Sequence, residues 1–179
     1  METWEWIVLA VAIGLVALLA IAFVRIRQRR AHLKDRFGQE YDRAVADSGT
    51  SSAERRLSGA EREHHELAIR TLPNAARERY LEEWRHAEVR FVSDPRDAVR
   101  AAERVVERVL EERGYPEGDD SEHRLALLAV DHPDVVERYR HGRAMVENSG
   151  SQRTEDLRKA MLDYRTVLED LLQAEKTAA

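Results

Sequence analysis

The string most able to do chemistry in this 179-residue chain is Asp131-His132-Pro133, followed by Arg140. A carboxylate beside an imidazole can orient it for proton transfer, with Arg140 as a third polar group of such a site. The same aspartate, placed before a proline-started helix, is also what an N-terminal cap requires. The cap accounts for the string without any reaction, and that is the expectation here.

Seven histidines raise the question of a metal. His64 and His65 stand among Glu61 and Glu66, and His65 lies four residues after Glu61, a spacing that brings two ligands onto one helical face. There is no HExxH, in which two histidines four residues apart make a catalytic zinc face around a glutamate base. On a helix, His64 falls on a stripe with Leu57 and Ala68 while His65 points elsewhere, so the pair is not expected to share an ion. The chain has no cysteine, which removes disulfides, thiolate metal sites and cysteine nucleophiles together. No GxSxG, phosphate loop or GxGxxG occurs, and the few glycines fall in linkers rather than in strand-to-helix turns. No catalytic residue, cofactor or metal is therefore expected.

Two further patterns invite a ligand. Arg96, Arg100, Arg104 and Arg108 recur every fourth residue, as an anion-binding stripe would. Glu103, Glu107 and Glu111 each follow an arginine by three residues, so local ion pairs should consume much of that charge on a solvated face. Among the aromatic residues, Tyr80, Trp84, Phe91, Tyr139 and Tyr164 are expected in a core. If that core enclosed a cavity, Trp84, Tyr139, Met161 and Tyr164 would line a site for a small apolar ligand or lipid.

The elements that must position these residues are helices. Ala, Leu, Glu and Arg dominate and no segment alternates with period two. Segments 40–46 and 53–69 read as helices parted by DSGTSS, with Ser51 or Ser52 as the second cap. The face of 53–69 is thin (Leu57, Ala60, Leu67, Ala68), which predicts a stalk or a helix lying loosely on a partner. Pro73 opens a helix to about Val92. Asp94-Pro95 caps another over 95–113, which ends at Arg113-Gly114. Beyond the linker 115–120, a short helix at 121–129 presents Leu125 and Leu128. Pro133 starts the next, and after NSGSQ, Thr154 opens the most amphipathic helix, with Leu157, Met161, Tyr164, Leu168 and Leu172 on one face.

The longest apolar stretch lies before all of these. Trp6 to Val24 is nineteen residues without a charge, about 28 Å as a helix, close to the hydrocarbon thickness of a bilayer. Acidic residues precede it and no cleavage site interrupts it, which favours an uncleaved transmembrane helix over a signal peptide. Trp4 and Trp6 are placed for the headgroup region. Arg25, Arg27, Arg29, Arg30, Lys34 and Arg36 follow the stretch, against Asp35 alone. By the positive-inside rule the N-terminus is outside and the remainder cytoplasmic, and such a collar attracts anionic lipid. The collar carries +5 and the N-terminal tail −2, which with −5 overall leaves −8 on residues 37–179. An acidic body lacks the basic stripe a nucleic-acid surface needs.

The strings RFGQEYDRAV (36–45), RERYLEEWRHAEVRFVSDP (77–95), RGYP (113–116), VDHPDVVERYR (130–140) and TEDLRKAMLDYR (154–165) resemble those of an uncharacterised family of single-pass membrane proteins from GC-rich Gram-positive bacteria. The likeness spans nearly all of the chain beyond the apolar stretch. Leu72-Pro73-Asn74 departs from the Ser-Pro-acidic helix start of that family. The resemblance implies a membrane-anchored helical protein and carries over no activity or catalytic residue.

The expected architecture is all-α. It comprises an outer tail (1–5), a transmembrane helix (6–24), a basic collar (25–36), a helical stalk (37–72), a cytoplasmic domain (73–175) and a tail (176–179). The soluble bundle is expected to hold about five to six helices. The expected function is a non-enzymatic interaction or scaffold module at the cell membrane with a protein partner; the alternative is a bundle that binds an apolar ligand or lipid.

Overall fold

The computed structural model describes residues 3–117, 121–147 and 154–173; the side chains of Thr3 and of residues 5–11 lie outside this description. Linker residues 118–120 and 148–153 and the tail 176–179 also lie outside it. Among the described residues the fold is all-α. Helices α1 (Thr3–Phe37), α2 (Gln39–Ser48), α3 (Thr50–Glu66) and α4 (Asn74–Phe91) are followed by α5 (Pro95–Arg113), α6 (Ser121–Leu128), α7 (Pro133–Glu147) and α8 (Thr154–Gln173).

Capping chemistry explains the sharpest boundaries. Asp94 Oδ1 accepts the Asp97 backbone N–H at 3.0 Å, and Pro95 takes the first helical position, where no N–H is needed. At the other end Gly114 turns left-handed with φ 99°, a conformation that is cheap only for glycine. The Tyr115 N–H then reaches the Leu110 carbonyl at 3.0 Å, and Arg70 N–H bonds the Arg113 carbonyl at 2.8 Å. That second bond fastens the extended segment before α4 to the end of α5. The α2–α3 break is tighter than expected. Gly49 alone, at φ 76°, separates the helices, and neither Ser51 nor Ser52 caps α3.

Helix α8 packs on α7 and α5, and α5 also packs on α4. The α5 face of Val99, Ala102, Val106 and Val109 meets an α8 face containing Leu157, Tyr164 and Leu168 in the main core. The second half of α6, from Leu125, is apolar all round rather than on one face, whereas its first turn is Ser121-Glu122-His123-Arg124. Leu125 through Val130 are all buried, as such a helix must be. It sits between α3 and α7.

Residues 37–72, read from the sequence as a stalk, are packed into the body. Phe37, Tyr41, Ala44, Ala53, Leu57 and Ala60 are buried with Leu33 in the same core. The α3 face is thin because Ala53 and Ala60 are small, and small side chains let a neighbouring helix approach closely. The body therefore begins inside α1 rather than at Pro73.

Towards its N-terminus α1 stands apart. Ile13, Leu15, Val16, Leu18, Leu19, Ile21, Phe23 and Val24 are 49–66% exposed, on all sides of the helix. Among the described residues no helix is long and apolar enough to cross a membrane. The stretch read as a span starts at Trp6, so its side chains up to Val11 fall outside those residues.

Candidate functional site

The three residues of the suggested polar site are divided between two networks. Asp131 follows α6. Its Oδ1 accepts Arg36 Nη2 of α1 at 2.9 Å, and its Oδ2 lies 3.3 Å from His64 Nε2 of α3. The carboxylate read as a cap is thus a tie between α1, α3 and the α6–α7 turn. His64 is buried, and its angle to Asp131 does not complete a hydrogen bond. Burial lowers its pKa; Asp131 opposes the shift, while His65 and Arg36 add to it. His132, half-buried, is also lowered by burial and by Arg113, against Asp131 and Asp170. Tyr115, 6.4 Å from the His64 ring, is pushed up to about 12 by burial. Both shifts favour the neutral imidazole near pH 7, and the Tyr115 phenol beside His64 stays protonated.

Arg140 of α7 belongs to the second network. Its Nη2 and Nε reach Glu40 of α2 at 2.9 and 3.1 Å, and Nη1 and Nη2 reach Glu122 of α6 at 2.6 and 2.7 Å. Burial opposes its charge, but the hydrogen bonds it donates to Glu122 and Glu40 prevail and raise its pKa. The Glu122 carboxyl is held below the ordinary range by its bond to Arg140, with Arg43 and Arg56 adding to the pull. This triad floors an open groove of about 530 Å³ between α2, α6 and α7, rimmed by Arg43, Glu137, His141 and Arg143. Its basic side chains have carboxylate neighbours of their own: Arg143 bonds Glu147 at 2.7 Å, and His141 Nδ1 lies 2.5 Å from Asp163. No local pattern announces this groove, because Glu40 and Arg140 are a hundred residues apart.

Trp84, Tyr139, Met161 and Tyr164 are buried core residues and none of them lines that groove. Tyr139 and Tyr164 meet edge to face at 5.6 Å. The Tyr164 ring lies against Gly142, where a Cβ would come within 3.2 Å. Tyr139 Oη stands 3.4 Å from both Glu103 and Glu107. The Tyr164 hydroxyl is buried beside Glu103 without closing a hydrogen bond. Burial and then Glu107 raise the Glu103 pKa.

The α5 glutamates, half-buried, accordingly turn towards α6 and α7 rather than towards their own arginines. Glu107 and Glu111 approach Arg124 of α6 at 3.7 and 3.9 Å, and Arg108 pairs with Glu83 of α4. Arg100 and Arg104 are exposed. The expected local pairing fails because the glutamates form a stripe of their own between the arginines and the valine face.

Among the described residues no group of three or more His, Asp or Glu could hold a metal ion. His64 and His65 diverge as the periodicity required, one buried and one exposed. Trp4 is exposed, whereas the Trp6 side chain lies outside the described residues. Of the collar, Arg30 bonds Glu54, Lys34 pairs with Asp42 and Arg36 with Asp131. Arg25, Arg27 and Arg29 remain exposed. Set against known proteins, the chain matches no family model, no curated protein and no solved structure.

Proposed function

We propose that this is a single-pass protein of the cell membrane whose cytoplasmic helical body is a non-catalytic interaction or scaffold module for a protein partner. The observation that carries it is the continuity of α1. One uninterrupted helix of 35 residues, about 52 Å long, joins the apolar stretch to the folded body. Its apolar side chains from Ile13 to Val24 are exposed all round, and a contiguous apolar surface of that extent calls for lipid or protein to cover it. The uncharged length matches a bilayer, and the arginines that follow favour a cytoplasmic body. Confinement to a membrane raises the effective concentration of the body for partners held there. The polar networks described above tie helices together, consistent with a framework.

Protease treatment of sealed, right-side-out vesicles tests the placement. The body should be protected until the membrane is opened, and digestion in intact vesicles would reverse the orientation. Isolation from native membranes in mild detergent tests the role. A reproducible protein partner in stoichiometric amount is expected, and recovery of this chain alone would count against a scaffold.

A further inference from the structure

If α1 leaves the hydrocarbon at Val24, its buried Leu33 follows nine residues later, about 14 Å along the axis. The headgroup layer is about 5–7 Å deep on each side. The folded body therefore begins just past that layer, within about a Debye length of the lipid phosphates.

The carboxylates facing α1 at this level are already engaged. Glu54 of α3 accepts Arg30 Nε at 2.8 Å, Glu61 lies 2.8 Å from His32 Nε2, and Asp42 of α2 sits 3.2 Å from Lys34. Five cations are left exposed: Arg25, Arg27 and Arg29 on α1, and Arg55 and Arg62 on α3. None of the five has a carboxylate partner among the described residues. Arg55 and Arg62 donate only to the Ser51 and Ser58 carbonyls of their own helix, at 3.3 and 3.1 Å. Seven residues apart, they share one side of α3. Each directly follows a glutamate that touches α1. A body that carries −8 thus presents a cationic rim where α1 enters it.

We infer that this rim is a docking surface for the anionic headgroups of the leaflet, in which Arg55 and Arg62 extend the α1 collar into one patch. It rests on the reading of residues 6–24 as a membrane span. Docking by two helices, rather than tethering by one, fixes how the body is turned on the membrane.

The chain has no cysteine, so a Ser51→Cys variant carries a single fluorophore at the exposed start of α3. The labelled full chain is reconstituted in vesicles of phosphatidylcholine with a minority of phosphatidylserine. Energy transfer to headgroup-labelled phosphatidylserine is compared with transfer to headgroup-labelled phosphatidylcholine. Anionic lipid should be enriched beside the label, and R55Q/R62Q should lower its relative affinity on the order of tenfold, two surface charges weakened by screening. R100Q/R104Q, on the exposed side of α5, should leave it unchanged. Equal transfer before and after R55Q/R62Q, or the same loss in the α5 control, overturns the docking surface. Retention of the chain through an alkaline wash is read first. Loss there removes the span and the docking with it, whereas retention without lipid preference removes the docking alone.

Discussion

Arg140 is useful less for its charge than for what it neutralises. The Glu40 side chain is 4% exposed and that of Arg140 10%, so neither ion can fall back on water. Removing one partner of a buried pair costs about 3–5 kcal/mol, mostly the penalty of the charge left behind. Arg140→Met should lose that much in urea unfolding, and Glu40→Gln added to it should recover part of the loss. Strict additivity of the two substitutions would mean that the charges do not act on each other. The histidines make a second prediction. His64 and His132 both titrate below the ordinary imidazole value when folded, burial being the main cause. The unfolded chain then binds more protons, so their contribution is complete above about pH 6.5 and declines as the pH falls below it. The decline continues until the folded-state values are passed. His64→Leu should therefore flatten the pH dependence of the urea midpoint between about pH 7 and pH 5.5, and an unchanged slope would rule out His64 as a source. At this scale the sequence was legible where a residue acts on its neighbours, as Asp94 does. It misled at Asp131, whose partner Arg36 is 95 positions away.

Helix ends carry the information that periodicity lacks. The α5 boundaries could be read from Asp94-Pro95 and Arg113-Gly114, because a cap and a left-handed stop are local chemistry. Asp94→Ala should cost about 0.5–2 kcal/mol through the orphaned Asp97 N–H. Gly114→Ala should cost more than the propensity scale suggests. The new Cβ would need φ 99° and would stand 2.8 Å from the Ala68 carbonyl oxygen, backbone that cannot swing aside. A loss of about 2–4 kcal/mol is expected from strain and displaced chain together, and thermal melts of the two variants compare them directly. Gly114 near wild-type stability as alanine would mean that segment 67–72 yields freely. What the pattern could not convey was the fate of α3. An alanine-rich face reads as weak when counted by hydrophobicity, yet Ala53 and Ala60 have no exposed surface to speak of. Helix α6 misled in the opposite sense, since two expected core leucines became an entirely buried turn.

For the whole molecule the consequence is that α1 belongs to two environments. Its first part presents apolar surface outward, and its last two turns are part of the core. Leu33 and Phe37 are 1% and 0% exposed, and Arg30 and Arg36 bond Glu54 and Asp131. A chain beginning at Arg25 keeps all four, whereas one beginning at Gly38 loses them. Burial of the two apolar side chains is worth about 1.5–3 kcal/mol each, and exposed ion pairs add little. The shorter chain should therefore be less stable by about 3–6 kcal/mol in urea unfolding, a large share of the roughly 5–15 kcal/mol that holds a domain together. Equal midpoints would reduce α1 to a tether and detach the body from whatever holds the helix. A deficit of the expected size means that the exposed apolar segment and the segment closing the core act as one element. A body built that way cannot turn freely about the exposed apolar part of α1, because the helix that carries that surface also closes the core.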